Sequence, residues 1–239
     1  MMGCVPLTFR PGSGSKRGTM DRNDWIKEQR RETEERYDTI WAPLYGEKWG
    51  RYSNAKHQQF VQKFLSLLPQ PGTLLDAACG AGRYMGMLLE KGHTVVGIDQ
   101  SQGMLARAKT YYPAVHTEKM GLQEMSYSEA FEGAICMDAL EHVCPEDWPW
   151  ILDNFHRALK PHGFLYFTVE LPADHDLDAA LLEGREAGLP VVRGELADAG
   201  VYHYYPSLAQ VREWLQQARL EVMEEGDGDG YHHFLTRKA

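Results

Sequence analysis

Short apolar segments alternate with helical segments from Thr73 to Thr236, and this alternation constrains the fold more than any other feature of the chain. Repeated strand and helix units of this kind are typical of an α/β domain with a parallel sheet. The predicted strands are Thr73–Ala78, Thr94–Ile98, Val115–Glu118, Gly133–Met137, Gly163–Glu170, Leu220–Glu224 and Tyr231–Thr236. The helices predicted between them are Arg83–Lys91, Gly103–Tyr111, Glu146–Leu159 and Ser207–Ala218.

Three further segments complete the predicted organisation of the chain. Residues 1–20 contain Gly, Ser, Pro and basic residues without the apolar block of a secretory signal, which predicts a disordered tail with Met20 as an alternative start. Within the predicted domain, residues 21–239, two helical patterns lie in residues 21–68, the first from about Asp21 to Tyr45 and the second from Asn54 to Leu68. Residues 171–206 interrupt the alternation, and we expect this insertion to cap the open end of the sheet.

The turn before the last strand predicts its direction. Residues 226–230 read Gly-Asp-Gly-Asp-Gly, a sequence typical of a hairpin, so the last strand should run antiparallel to its neighbour.

Composition excludes several classes of protein. Hydrophobic residues make up 43% and charged residues 25% of the chain, which is ordinary globular usage. The longest apolar stretches are far shorter than the ~20 residues of a membrane helix. The formal charge of −9 disfavours nucleic acid as a partner, because phosphate binding depends on clustered Lys and Arg. The four cysteines show no zinc spacing, so we expect no metal and a reduced, cytoplasmic location.

A glycine-containing loop follows the first predicted strand. Residues 74–83 read LLDAACGAGR, an apolar strand carrying Asp76, then a loop of small residues, then a helix. Gly80 and Gly82 allow the backbone to approach a ligand closely, while helix-terminal N–H groups face it. Glycines also mark ordinary tight turns, and the loop by itself supports the two interpretations about equally.

A second acid ends the next predicted strand. Asp99 follows Val95-Val96-Gly97-Ile98, where an acid can accept hydrogen bonds from both hydroxyls of a ribose. The alternative is that Asp99 or Ser101 only caps the following helix. Together, the loop and the acid predict an adenosine across the carboxyl ends of two adjacent strands.

With these motifs and residues 131–143, FEGAICMDALEHV, the chain resembles the class I S-adenosylmethionine-dependent methyltransferases from about Leu65 to Arg237. The resemblance implies a doubly wound, mostly parallel seven-stranded sheet in the order 3-2-1-4-5-7-6, with the last strand antiparallel. It implies S-adenosylmethionine as cofactor and S-adenosylhomocysteine as product. The cofactor contacts that it implies are Asp76, Ala78, Gly80, Gly82, Asp99, Gln100, Met104, Leu122, Gln123, Cys136 and Met137.

Two positions depart from the family pattern. Ala78 stands where the first glycine of the loop is usual, and Gly121 stands where many members carry an acid that binds the adenine amino group. Leu122 and Gln123 would then contact the ring. A nicotinamide site is disfavoured, because Met85 occupies the third glycine position of G-x-G-x-x-G.

The family reaction needs little help beyond alignment of the reactants. A base helps only if the acceptor is a hydroxyl or an ammonium group, and the candidates are His142, His203 and Glu141, with Asp138 as a further one. His142 and Asp138 are equally compatible with roles in a turn or a cap.

Aromatic residues are the candidates for the walls of the substrate pocket. Tyr37, Trp41, Tyr45 and Trp49 recur every four residues, and we call them the aromatic stripe. The stripe either packs on the sheet or supplies substrate contacts through Tyr37 and Trp41. A second wall is expected from Tyr202, Tyr204 and Glu170, although the alternating aromatics also fit an edge strand.

The sequence therefore predicts a methyltransferase that acts on an oxygen, nitrogen or carbon atom of a small molecule. The alternative is a cofactor-binding protein of the same fold that does not transfer the methyl group, such as a cyclase-type helper or a regulator. The acceptor and the oligomeric state are not predicted.

Overall fold

The structure is a computed structural model that describes residues 20–48, 54–172, 176–198 and 201–239. The predicted tail therefore lies, except for Met20, outside the described residues. Among the described residues, no helix is both long enough and apolar enough to cross a membrane. The strands are β1 (Thr73–Ala77), β2 (Thr94–Asp99), β3 (His116–Lys119), β4 (Phe131–Cys136), β5 (Leu159–Glu170), β6 (Glu195–Asp198), β7 (Val201–Tyr204), β8 (Leu220–Gly228) and β9 (Tyr231–Lys238).

Seven strands form one sheet in the order β3-β2-β1-β4-β5-β9-β8. Strands β1 to β5 pair in parallel, whereas β9 runs antiparallel to both β5 and β8. Strands β6 and β7 form a separate antiparallel pair within the insertion. Numbered without that pair, the order is 3-2-1-4-5-7-6, so the predicted sheet is confirmed.

Helices cover both faces of the sheet. They are α1 (Arg22–Arg36), α2 (Ala42–Lys48), α3 (Ala55–Leu67), α4 (Met85–Glu90), α5 (Gln102–Tyr111), α6 (Trp148–Ala158), α7 (Leu177–Glu186) and α8 (Leu208–Gln217). Side chains along β1 alternate between the two cores. Leu75 packs in the core that includes α6 and α8, while Leu74 packs in the core that includes α3, α4 and α5. The central strands are therefore buried on both faces, as expected for a parallel sheet.

The N-terminal segment is not the single helix expected from Asp21 to Tyr45. Helix α1 begins after Asp21, whose side chain accepts a hydrogen bond from the backbone of Asn23. A π-helical turn, Tyr37–Trp41, then separates α1 from α2. Wide turns of this kind are frequent at functional sites.

The insertion after β5 contains a helix, α7, and a strand, β6, that we did not predict, while β7 agrees with the edge strand that the alternating aromatics fit. Helix α7 has no fully buried residue, so it lacks the apolar periodicity that identifies a helix in a sequence. The hairpin of β6 and β7, which we call the cap hairpin, packs against α1, where the rings of Trp25 and Tyr202 are 5.7 Å apart. At the other hairpin, Asp229 and Gly230 both have positive φ, as a tight β8–β9 turn requires.

Candidate active site

The glycine loop, residues 78–82, lies at the carboxyl end of the central strand β1. Ala78, Gly80 and Gly82 adopt φ angles of 54°, 53° and 82°, in the left-handed region that favours glycine. A Cβ at Gly82 would lie 2.9 Å from the sulfur of Met85, whereas a Cβ at Gly80 would meet nothing within 4 Å. Gly82 is therefore needed for local packing, and Gly80 faces open space.

Asp99 joins the glycine loop to the end of β2. One carboxylate oxygen accepts a 2.8 Å hydrogen bond from the backbone N–H of Gly80, and the other accepts one of 2.8 Å from Ser101. Ser101 caps α5, since its hydroxyl accepts from the backbone N–H of Met104. Burial raises the pKa of Asp99 to about 6. The carboxylate thus fixes the loop and keeps further acceptor capacity.

A cavity of about 490 Å³ opens at this edge of the sheet, a size typical of small-molecule sites. Eight of the expected cofactor contacts line it: Ala78, Gly80, Asp99, Gln100, Met104, Leu122, Gln123 and Met137.

The structure corrects the predicted positions of three other expected cofactor contacts. Asp76, Gly82 and Cys136 do not line the cavity. Asp76 and Cys136 are buried in β1 and β4, behind the loop. One oxygen of Asp76 has no hydrogen-bond partner among the described residues. Burial, followed by the negative charge of Asp99, raises the pKa of Asp76 to about 8.

His142 follows β4 and lines the cavity. Its Nδ1 lies 2.8 Å from the backbone carbonyl of Tyr202, so Nδ1 carries the proton and donates it. Its Nε2 lies 2.8 Å from the hydroxyl of Tyr37 and accepts a hydrogen bond from that hydroxyl. Burial lowers the pKa of His142, which keeps the ring neutral. These contacts fix the tautomer in which Nε2 can serve as a base.

Two carboxyl groups, Glu141 and Glu170, line the same cavity. Burial, followed by repulsion from Glu170 and Asp138, raises the pKa of Glu141 well above its ordinary value. Burial also raises the pKa of Glu170, against a hydrogen bond from Tyr205 that lowers it. His203 lies across from them, with its Nε2 4.0 Å from Glu170 and its ring centroid 4.8 Å from that of His142. The three predicted bases therefore meet in one cluster.

Asp138, the further candidate base, also lines the cavity. Its carboxylate pairs with Arg83 at 3.1 Å and lies 3.0 Å from Nε2 of His57. These two contacts hold the carboxylate at the cavity wall.

Part of the aromatic stripe faces the cavity. Tyr37, Trp41 and Tyr45 line it and also pack around a small buried cluster that contains Ala42 and Met104. These three rings therefore pack against helical residues and line the cavity at the same time, and the substrate contacts expected of Tyr37 and Trp41 stay a prediction. Trp49 lies outside the described residues.

Two predicted substrate contacts on the cap hairpin do not line the cavity. Tyr202 and Tyr204 point away from the cavity into the protein core, while Val201 and His203 line the cavity. Side chains alternate along a strand, and the register of β7 gives the inner face to the two tyrosines. The hydroxyl of Tyr202 donates a 2.5 Å hydrogen bond to Glu195.

Several lining residues were missed by the analysis of the sequence. Arg30 and Thr33 come from α1, which reads as an ordinary polar helix, and Tyr231 comes from the start of β9. No local motif marks these positions. Arg83 and Tyr84 directly follow the glycine loop, and their position alone could have indicated them.

Residues 74–163 match a family model described as a methyltransferase domain. A putative methyltransferase of Bacillus subtilis, YqeM, is 33% identical over 123 residues, which cover 49% of the chain and 50% of the relative. A ubiquinone biosynthesis O-methyltransferase of Histophilus somni is 26% identical over 210 residues, which cover 82% of each. The chain thus spans about half the length of the first relative and most of the second.

Solved structures show the same fold. A 1,6-didemethyltoxoflavin-N1-methyltransferase of Burkholderia thailandensis, with S-adenosylhomocysteine bound, superposes with a TM-score of 0.66 at 19% identity, covering 96% of this chain and 94% of that one. A magnesium protoporphyrin IX methyltransferase of Synechocystis, with S-adenosylmethionine bound, gives a TM-score of 0.65 at 15% identity, covering 88% and 97%. At such identities the likeness establishes the fold alone.

Proposed function

Because the chain belongs to the class I S-adenosylmethionine-dependent methyltransferases, we propose that it binds this cofactor in the cavity and transfers the methyl group to a small molecule. The observation that carries the proposal is the junction of β1 and β2. There the N–H of Gly80 and the carboxylate of Asp99 are hydrogen-bonded to each other at the cavity wall. The same wall supplies the apolar side chains of Met104 and Leu122 for a flat ring.

The cofactor, when bound, supplies an activated methyl group. The protein contributes alignment of the acceptor and exclusion of water, which account for ~7–11 kcal/mol of such a barrier. Tyr37 and Trp41 lie on the π-helical turn over the cavity and would shield the reacting atoms from solvent.

A neutral His142 supports proton removal where the acceptor is a hydroxyl or an ammonium group. The Nε2 atom of His142 already accepts a hydrogen bond from Tyr37. The hydroxyl or ammonium group of the substrate would take the place of the Tyr37 hydroxyl and give its proton to Nε2. His203 lies next to it as a second base. We expect His142→Ala and His203→Ala to lower turnover while cofactor affinity stays unchanged. Full rates in both variants would mean that alignment alone suffices.

The proposal is tested with the purified chain in two steps. Calorimetry with S-adenosylmethionine should show binding, and incubation with an acceptor mixture should release S-adenosylhomocysteine. Binding without release for every acceptor would support a cofactor-binding role instead. No binding at all would contradict the proposal. The net charge of −9 and the cavity volume of about 490 Å³ support a small acceptor rather than nucleic acid.

A further inference from the structure

The cavity has more negative than positive side chains at the end that contains His142. Its only arginines or lysines among the described residues are Arg30 and Arg83. Arg30 pairs with Asp147, and Arg83 pairs with Asp138. Both arginines therefore pair with carboxylates other than Glu141 and Glu170.

Glu141 and Glu170 leave acceptor capacity unused. Glu141 is only 5% exposed, yet its Oε2 has no hydrogen-bond partner among the described residues. Glu170 accepts a hydrogen bond from Tyr205, but its Oε2 has no hydrogen-bond partner among the described residues and lies 4.0 Å from Nε2 of His203. Burying a carboxylate oxygen without a partner is costly, so the Oε2 of Glu141 in particular calls for a ligand that completes the site.

Aromatic faces line the same part of the cavity. Tyr37, Trp41, Tyr84 and Tyr231 contribute to its walls. Aromatic rings attract cations through the negative charge over their faces, and the attraction grows when the cation is removed from water. Two carboxylates and an aromatic wall therefore favour a small cation and disfavour an anion.

We propose, on the basis of the methyl transfer proposed above, that the acceptor is a small amine that enters as an ammonium ion held by Glu141 and Glu170. Both carboxylates come from residues that follow or end central strands, so one side of the cavity presents them together. Acceptors that carry a carboxylate or a phosphate would meet like charges here.

The reaction balances with these residues alone. The ammonium nitrogen first gives one proton to the carboxylate of Glu170, with His203 beside it as an alternative recipient. The freed lone pair then forms the new N–C bond to the methyl carbon while the S–C bond breaks. The sulfur keeps that electron pair, which gives S-adenosylhomocysteine, and the product leaves as a methylated ammonium ion.

Matched acceptors test the proposal. We would use alkyl, phenylethyl and indolylethyl compounds, each as the amine, the alcohol and the carboxylate with the same carbon skeleton. Binding is measured by calorimetry with saturating S-adenosylhomocysteine, and transfer by its release from S-adenosylmethionine. Amines should bind and be methylated, and the matched alcohols and carboxylates should bind at least about tenfold more weakly, as loss of a charged hydrogen bond predicts.

Two isosteric variants connect the effect to the proposed residues. Glu170→Gln and Glu141→Gln should each weaken amine binding by about tenfold or more while S-adenosylhomocysteine affinity stays within about twofold. Glu170 is partly exposed, so its glutamine variant should fold even if that of the buried Glu141 does not. Glu183→Gln, on the exposed surface of α7, is the matched control and should change neither affinity.

The outcomes separate the two proposals. If alcohols or carboxylates bind as well as the amines, if no amine binds, or if neither glutamine variant weakens amine binding, the amine assignment is wrong although the methyltransferase assignment stands. If the chain fails to bind S-adenosylhomocysteine at all, the proposed function itself fails.

Discussion

Ala78 adopts a backbone conformation that favours glycine. Its φ of 54° lies in the left-handed region, where a Cβ costs ~1–2 kcal/mol. Glycine removes this cost but loses ~0.5–1 kcal/mol through the greater freedom of the unfolded chain. We therefore expect Ala78→Gly to raise the free energy of unfolding by up to ~1 kcal/mol in urea titrations, with unchanged cofactor affinity. Ala180→Gly, inside helix α7, is the control and should lower it by ~0.5–1 kcal/mol.

Asp99 tests the cofactor assignment at a single side chain. We expect Asp99→Ala to weaken S-adenosylmethionine binding by ~1.5–3 kcal/mol in calorimetry, because a charged acceptor for the ribose is lost. Asp99→Asn should also weaken it. The two oxygens of Asp99 accept from the backbone N–H groups of Gly80 and Ser101, and asparagine keeps only one of these acceptors because its NH₂ group cannot accept. Asp153→Ala, exposed on α6, should have no effect. Unchanged affinity in both Asp99 variants would remove the ribose assignment.

At the scale of elements, a buried ion pair attaches the cap hairpin to α1. Glu195 is 2% exposed and accepts hydrogen bonds from Arg22 at 2.5 and 2.7 Å and from the hydroxyl of Tyr202. Arg22 also bonds Glu146 and the carbonyl of Pro190. This network places β7 so that Val201 and His203 reach the cavity.

Removing the arginine should release the cap hairpin. Arg22→Ala leaves Glu195 buried without its cation, which should cost ~2–4 kcal/mol of unfolding free energy and speed amide exchange in β7. Arg193→Ala breaks an exposed pair with Asp178 in the same insertion and should change the unfolding free energy much less, because water screens an exposed pair. Adding Glu195→Gln to Arg22→Ala should recover part of the loss. If the two arginine variants behave alike, the pair does not attach the hairpin.

Across the whole molecule, buried carboxylates make the stability of the unliganded protein depend on pH. The folded-state pKa of Asp76 is raised from 3.8 to about 8, so the folded state holds a proton that the unfolded state has released. Stability therefore falls as pH rises through this window. Buried histidines such as His142 have a lowered pKa. They oppose this trend only below pH 6.5, the ordinary pKa of histidine.

The decrease in stability is thus clearest between pH 6.5 and 8. We expect the free energy of unfolding to decrease across this range by ~1.4 kcal/mol per pH unit for each proton that only the folded state holds. Asp76→Asn should reduce this slope, and Asp153→Asn should keep it; urea titrations at several pH values measure both. Equal slopes in the two variants would show that Asp76 does not control the titration.

Local patterns in the sequence determined the sheet, the glycine loop and the position of Asp99. The period of apolar residues reports strands and helices directly, and small residues after an apolar strand report a tight loop, because both effects act between neighbours along the chain. Gly80 and Asp99 could be assigned to a ligand site for that reason, whereas Met104 and Gln123 were assigned through the resemblance to the family.

Only the tertiary structure decided which side chains meet in the cavity. Tyr37 and His142 are 105 residues apart in sequence, and their contact depends on how α1 continues into the π-helical turn. The register of β7 turned Tyr202 and Tyr204 inward, and the depth of β1 placed Asp76 behind the loop. Register, depth and the neighbours of a buried charge are set by packing between distant segments, which no local pattern encodes.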